Sequence, residues 1–349
     1  MRPAHLTAIL EREFLSARDN RPTPVMVWRP PGIGKSQIVV QVANRHNVPV
    51  IDIRLSQMEP TDLRGIPFRD GDHVLWSIPA ALPNAQRHGA RGILFLDEIT
   101  SAPPTVTAAA YQLILDRRLG EYRVPDGWAI FAAGNRHGDR GVTYAMPAPL
   151  ANRFTHYDLE AHLDDWIAWA YRNDIDARVI AFLHFRPELL FEMKSSTTLA
   201  AFPSRRTWEY ADRALKKFGN APDLLLDGLQ ACVGAAGIEF KAFMDHVRDL
   251  PDIEAIANGT SHELPGAIDL QYAVASSLVR RVVHESGKPN GGTMIGNVLR
   301  YAKLFPQREL GIMLVSDLQR AVGVQLLDTP EFFEWANSIS DLMRYPRGV

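Results

Sequence analysis

The sequence predicts an α/β chain, with a parallel sheet flanked by helices and then a long helical region. Three observations carry this. Over the first 155 residues, short apolar or β-branched runs alternate with helix-like stretches. The turn Gly32-Ile33-Gly34-Lys35-Ser36 stands between one such run and a helix. After about Asp158 the strand-like runs stop and helical spacing takes over. Strands alternating with helices build parallel sheets covered on both faces.

The four apolar runs are 25–28, 48–53, 93–96 and 128–133. They are continuous rather than alternating, as strands buried on both faces require. Helices are expected over 36–45 and 104–117. An Asp70-Gly71 pair between short runs predicts a hairpin at 68–74, and 118–124 reads as a second. Helical spacing resumes at 163–171, 177–185, 204–218 and 224–233, then at 269–285, 294–304, 309–323 and 331–343. The polar stretch 250–264 reads as a linker. The expected domains are therefore 1–157 (α/β), 158–250 (helical) and 251–349 (a helical C-terminal extension). Trp166, Trp169, Trp208 and Tyr210 read as core residues of their helices.

Composition bounds the function. The chain has 349 residues, 46% hydrophobic and 22% charged, which is ordinary for globular proteins and excludes low-complexity classes. The single cysteine, Cys232, excludes an intrachain disulfide or a cysteine-built metal site, and its apolar surroundings read as core. That fits a reducing cytosol. No apolar run approaches the roughly 18 residues of a membrane span, and the opening MRPAHLTAILEREF lacks the apolar stretch of a signal peptide. A net charge of −2 provides no global basic field for nucleic acid.

The chemistry begins at the turn after run 25–28. Gly32 and Gly34 can take positive φ, so successive N–H groups can point at an anion. The helix that follows adds its N-terminal dipole. Lys35 then reaches phosphates and Ser36 can hold Mg²⁺. The strict phosphate-loop pattern has glycine where this chain has Arg29. The alternative is a chance Gly-Lys-Ser sequence.

Run 93–96 ends in Asp97-Glu98, 62 positions beyond Lys35. Adjacent carboxylates at a strand end are costly unless a cation or water sits there. Asp97 suits a Mg²⁺ shell, and Glu98 suits polarising a water. The run at 128–133 leads to Gly134-Asn135, and Asn135, 38 positions after Asp97, could orient that water. Arg153, in Leu150-Ala151-Asn152-Arg153-Phe154, and Arg205-Arg206, at a helix start, could each bring a guanidinium to a γ-phosphate. Their bland alternatives are a surface ion pair and a helix-start charge cluster. His137, Asp139 and Arg140 read as a solvated loop near the nucleotide.

Taken together, these motifs resemble an AAA+ ATPase, and in wording the MoxR branch. Pro30 to Ser36 resembles Walker A, and Leu94-Phe95-Leu96-Asp97-Glu98-Ile99 resembles Walker B. Ala102-Pro103-Pro104 is similar to the branch's wording after Walker B. Ala132-Ala133-Gly134-Asn135 resembles sensor 1. The segment Thr143 to Phe154 resembles that leading to the arginine finger, which puts the role on Arg153. Ser204 to Glu209 resembles the start of the sensor 2 helix, with Arg206 the better match. The 68–74 hairpin resembles the branch's helix 2 insert. The resemblance spans roughly residues 5–245.

The resemblance implies the P-loop AAA+ fold, an α-helical lid, and ATP with Mg²⁺. ATP would be held by Pro31, Gly32, Ile33, Gly34, Lys35, Ser36, Gln37 and Asp97, and the metal by Ser36 and Asp97. Glu98, Asn135, Arg153 and Arg206 would act in hydrolysis. It also implies a hexameric ring that remodels or activates a protein client, with a von Willebrand A-domain adaptor. Two other readings come from the residues. Arg29 motivates a nucleotide-responsive binding module with slow or no hydrolysis. Arg64, Arg69, Arg117 and Arg118 motivate a nucleic-acid motor, against which the near-neutral charge argues.

Overall fold

A computed structural model describes residues 1–17, 22–28, 32, 34–136, 143–192, 201–288 and 290–343. The chain forms two compact units, Met1–Ala161 and His162–Val349.

The first unit opens with α1 (Pro3–Ser16), β1 (Val25–Trp28), α2 (Lys35–Arg45) and β2 (Val50–Arg54). A short helix α3 (Pro60–Arg64) leads to the hairpin β3 (Pro67–Asp70) and β4 (His73–Trp76). Then follow α4 (Ala85–His88), β5 (Arg91–Asp97), α5 (Pro104–Asp116) and a second hairpin, β6 (Arg118–Leu119) and β7 (Tyr122–Arg123). The unit closes with β8 (Gly127–Gly134), α6 (Ala148–Ala151) and β9 (Thr155–Asp158). Five strands form the sheet in the order β2-β5-β8-β1-β9, and every neighbouring pair is parallel.

Burial explains why the sheet strands read as unbroken apolar runs. Val25 and Val27 face one core with Leu6, Leu10 and Phe14 of α1 and Ile38 and Val42 of α2. Met26, Leu94 and Leu96 face the other, with Val106, Ala110 and Leu113 of α5. Both faces are covered, as parallel sheets require.

Helix α1 and strand β9 were not foreseen. β9 is short, and His156, Tyr157 and Asp158 carry no β-rich run; pairing with β1 makes it a strand. The hairpin of β3 and β4 stands with Phe68, Val74 and Trp76 exposed. Its base is tight: Gly65 has φ +84°, and a Cβ there would lie 1.6 Å from the Ser77 carbonyl oxygen.

The second unit is helical: α7 (Leu163–Arg172), α8 (Ala177–Phe185), α9 (Arg205–Phe218), α10 (Pro222–Val233), α11 (Ala236–His246) and α12 (Ile253–Ala257), then α13 (Ile268–Glu285), α14 (Gly291–Ala302), α15 (Arg308–Val322), α16 (Val324–Leu327) and α17 (Pro330–Met343). Ser204 caps α9 through a capping box with Thr207. The polar stretch at 250–264 is not simply a linker. Asp252 accepts from the Ala255 N–H and starts α12, whose Ile256 and Ala257 are buried.

A buried polar node joins three helices here. Asp317 of α15, 1% exposed, accepts from Arg320 at 3.0 Å and lies 2.7 Å from His184 Nε2 of α8. The Tyr171 hydroxyl of α7 reaches Asp317 at 3.4 Å, and burial raises that phenol well above its ordinary range. Trp166 and Trp208 are fully buried as expected. Trp169 is only half-buried and Tyr210 is exposed, because they lie on the outer sides of α7 and α9. Cys232 is half-buried rather than core: Leu225, Leu229 and Val233 carry the inward face of α10. Among the described residues no helix is long and apolar enough to cross a membrane.

Candidate functional site

The C-terminal ends of β1, β5 and β8 lie side by side, because these strands are neighbours and parallel. Open α/β sheets bind ligands at such edges. β1 leads into Gly32 and Gly34, at φ +86° and +98°, as their proposed part in an anion-binding turn requires. Gly34 occupies the N-cap of α2, so the first N–H groups of that helix have no intrahelical acceptor. Arg29, Pro30, Pro31 and Ile33 lie outside the described residues, as do His137, Asp139 and Arg140.

Lys35 sends its ammonium across to the tip of β8. Nζ donates to Asn135 Oδ1 at 2.9 Å and to the Gly134 carbonyl at 3.3 Å. Ser36 Oγ donates to Asp97 Oδ2 at 3.1 Å, joining the start of α2 to the end of β5. The other Asp97 oxygen accepts the Glu98 N–H at 2.8 Å. Glu98 itself sits at φ +56°, uncommon for a residue with a side chain. Its carboxylate accepts a hydrogen bond from the Ser56 hydroxyl. Lys35, Ser36, Asp97, Glu98 and Asn135 therefore form one connected cluster, although 100 positions separate its ends.

Gln37 and Arg153 take no part in those hydrogen bonds, and Arg206 belongs to the other unit. Gln37 is exposed on the first turn of α2. Arg153 is exposed just past α6, with no ion-pair partner among the described residues. Arg206 is exposed near the start of α9, in the other unit.

Three residues of the neighbourhood were not picked out from sequence. Ser56 lies in the turn after β2, and Asp52 within β2. Partial burial, then the like charges of Asp97 and Glu98, raise the Asp52 carboxyl above its ordinary range, with Arg54 opposing. Thr100 bonds both backbone groups of Asn135. An arginine proposed for a nucleic-acid stripe is used differently. Arg117 has φ +53° and ties the carbonyls of Pro125 and Trp128 at 2.9 and 2.6 Å, so it serves the fold.

The donor set suits a hard divalent cation. A hydroxyl and a carboxylate adjoin at Ser36 and Asp97. Among the described residues no three His, Cys, Asp or Glu side chains gather as a protein-built metal cage. Such a set fits Mg²⁺, which draws most of its ligands from phosphates and water.

Beside Asn135 opens a cleft of about 530 Å³ lined by Trp28, Thr100, Arg136, Tyr144 and His156 among others. In it the Trp28 indole N–H donates to His156 Nδ1 at 2.8 Å, while His156 Nε2 lies 2.7 Å from the Ala151 carbonyl. The end of β1 is thus linked to the segment that carries Arg153.

Two solved structures resemble the chain weakly. One is a proposed ATPase of Cytophaga hutchinsonii, with 12% identity over 94% of this chain and 78% of that one, TM-score 0.33. The other is a point mutant of RuvB from Thermotoga maritima, with 14% identity over 92% of this chain and 88% of that one, TM-score 0.36. No curated protein matches the chain. Residues 24–154 match the family described as the AAA domain (dynein-related subfamily), which spans β1 to the end of the Arg153 segment. With its five-stranded parallel sheet, the helices that flank it and the helices that follow, the chain has the AAA+ fold.

Proposed function

We propose that the protein is a MoxR-type AAA+ ATPase that hydrolyses ATP to ADP and phosphate. The observation that carries this reading is the connected cluster of Lys35, Ser36, Asp97, Glu98 and Asn135 at the strand edge. The Gly32–Ser36 turn and the start of α2 receive the triphosphate, with Lys35 as its point charge. Ser36 and Asp97 hold Mg²⁺, which when bound neutralises phosphate oxygens. Glu98 takes the proton of the attacking water, and Asn135 orients that water.

Arg153 is exposed and its guanidinium has no ion-pair partner among its own subunit's described residues. That supports its service to a neighbour's γ-phosphate, and with it a ring, which we take to be hexameric. Arg206 is assigned the sensor 2 role. In this reading 158–250 is the lid and 251–349 an extension. The exposed Phe68, Val74 and Trp76 suit contact with a protein client. We place the ring in the cytoplasm, working on that client with a von Willebrand A-domain adaptor.

The test is Glu98→Gln. It should keep MgATP affinity by calorimetry and lose steady-state turnover by a factor on the order of 10² or more, as for a lost general base. Loss of binding and turnover together would make Glu98 structural. A wild type without turnover that still binds nucleotide would favour the nucleotide-responsive module.

A further inference from the structure

We propose that Thr100 is the positioning residue that aims Asn135, an inference that rests on the nucleotide-site reading above. Thr100 lies three residues beyond Asp97 and is 4% exposed. Its Oγ1 accepts the Asn135 N–H at 2.9 Å and donates to the Asn135 carbonyl at 3.1 Å. One buried hydroxyl thus satisfies both backbone groups of a single residue.

That residue needs it. β8 ends at Gly134, and the last ladder pair with β1 is Trp28 with Gly134. Asn135 therefore stands one position past the sheet, and the Thr100 hydroxyl takes the place of a strand partner. The preceding position ties the same two segments, since the Ile99 N–H donates to the Ala133 carbonyl at 3.0 Å. The Thr100 carbonyl in turn accepts from Tyr144 N–H at 2.7 Å, which joins the segment running towards Arg153.

The close approach depends on Gly134. A Cβ there would come within 2.8 Å of Thr100 Oγ1 and 2.7 Å of Met26 Cε. The turn carrying Asp97 and Glu98 and the strand tip carrying Asn135 are thereby held as one piece. The Asn135 side chain leaves this clasp to meet Lys35 Nζ. A small misplacement of a positioned group costs rate far more than affinity, up to about 10²-fold per ångström.

The substitution that tests this is Thr100→Val, which keeps the shape and deletes the hydroxyl. It should lower kcat by about tenfold or more and leave KM for MgATP within about twofold, because the phosphate contacts are untouched. Thr100→Ser, which restores the hydroxyl, should recover most of the turnover. In the Asn135→Ala background, Thr100→Val should cost nothing further. A merely structural residue would instead multiply with Asn135→Ala. If Val is not tolerated, Thr100→Ala takes its place.

A readout that needs no turnover accompanies these. Backbone hydrogen exchange of the Asn135 amide should rise by about tenfold or more in Thr100→Val, while that of Ile99 changes little. The proposal is overturned by unchanged exchange at Asn135, by wild-type kcat in Thr100→Val, or by multiplicative effects in the double variant. A wild type without ATPase activity but with the predicted exchange would defeat the hydrolytic reading and leave the Thr100 clasp standing.

Discussion

Lys35 and Asn135 are hydrogen-bonded across the strand edge, Nζ to Oδ1 at 2.9 Å. The same ammonium also holds the Gly134 carbonyl. In the proposed site the ammonium would meet phosphate and the amide would meet water, so the two should respond differently to loss. Lys35→Ala should lower ATP affinity by roughly 100-fold or more, since bonds to a charged group are worth about 1.5–3 kcal/mol each. Asn135→Ala should keep affinity and lower turnover. Calorimetry on both variants checks the split, and unchanged ATP affinity in Lys35→Ala would remove Lys35 from the phosphate site.

Ser56 donates to the Glu98 carboxylate. This bond holds the carboxylate towards the end of β2 and would compete with its proposed use on water. Ser56→Ala should release it and raise basal turnover by about fivefold, the worth of one net hydrogen bond of about 1 kcal/mol. A fall in turnover would mean instead that Ser56 holds Glu98 in its working position. Steady-state rates at saturating MgATP decide between the two.

Arg153 is exposed and outside the cluster. If Arg153 serves as an arginine finger, Arg153→Ala should leave ATP binding intact and reduce turnover by a factor of about 10³. Mixing Arg153→Ala with Lys35→Ala subunits should restore part of the activity, because some interfaces pair an intact loop with an intact arginine. The measurement is ATPase of the mixture with assembly verified by mass. No recovery would count against a shared site.

Asp174 gives a pH dependence whose sign can be worked out. The hydrogen bond from Arg280, at 2.7 Å, is the main reason its carboxyl lies below the ordinary range, with Lys216 and His284 adding charge. A carboxyl lowered by folding stabilises above its unfolded pKa, and that contribution fades as pH falls through its folded value. Asp174→Asn should therefore destabilise at pH 7 and lose its effect in acid. The side chain is 59% exposed, so the cost should be below about 1 kcal/mol. Urea unfolding at a series of pH values checks this, and a pH-independent difference would contradict it.

The parts of the fold that were legible are those whose chemistry is local. Val25 to Trp28 had to be buried on both faces, and Gly32 and Gly34 had to take positive φ; both statements follow from a few adjacent residues. The Asp70-Gly71 turn likewise announced its own hairpin. What escaped depends on register. Asp52 meets Asp97 because β2 and β5 pair Arg54 with Asp97, and nothing near Asp52 in sequence says so. Thr100 was hidden for the same reason, as its hydroxyl matters only because β8 ends one residue before Asn135. An exposed residue such as Tyr210 was misjudged because aromatic character alone does not say which side of a helix faces inward.

The buried carboxylate of Asp317 bears on where the chain can be cut. A fragment ending near residue 250 would contain α7 and α8 but not α15, so His184 and Tyr171 would open onto the space Asp317 fills. It would also lose α13, which packs against both α7 and α8. Stripping one side from a buried polar node leaves the other desolvated and unmatched. A clone trimmed to the family-matching segment plus the first helices would thus carry a polar wound in its interior. A folded fragment of the second unit has to keep α7 through α15 intact.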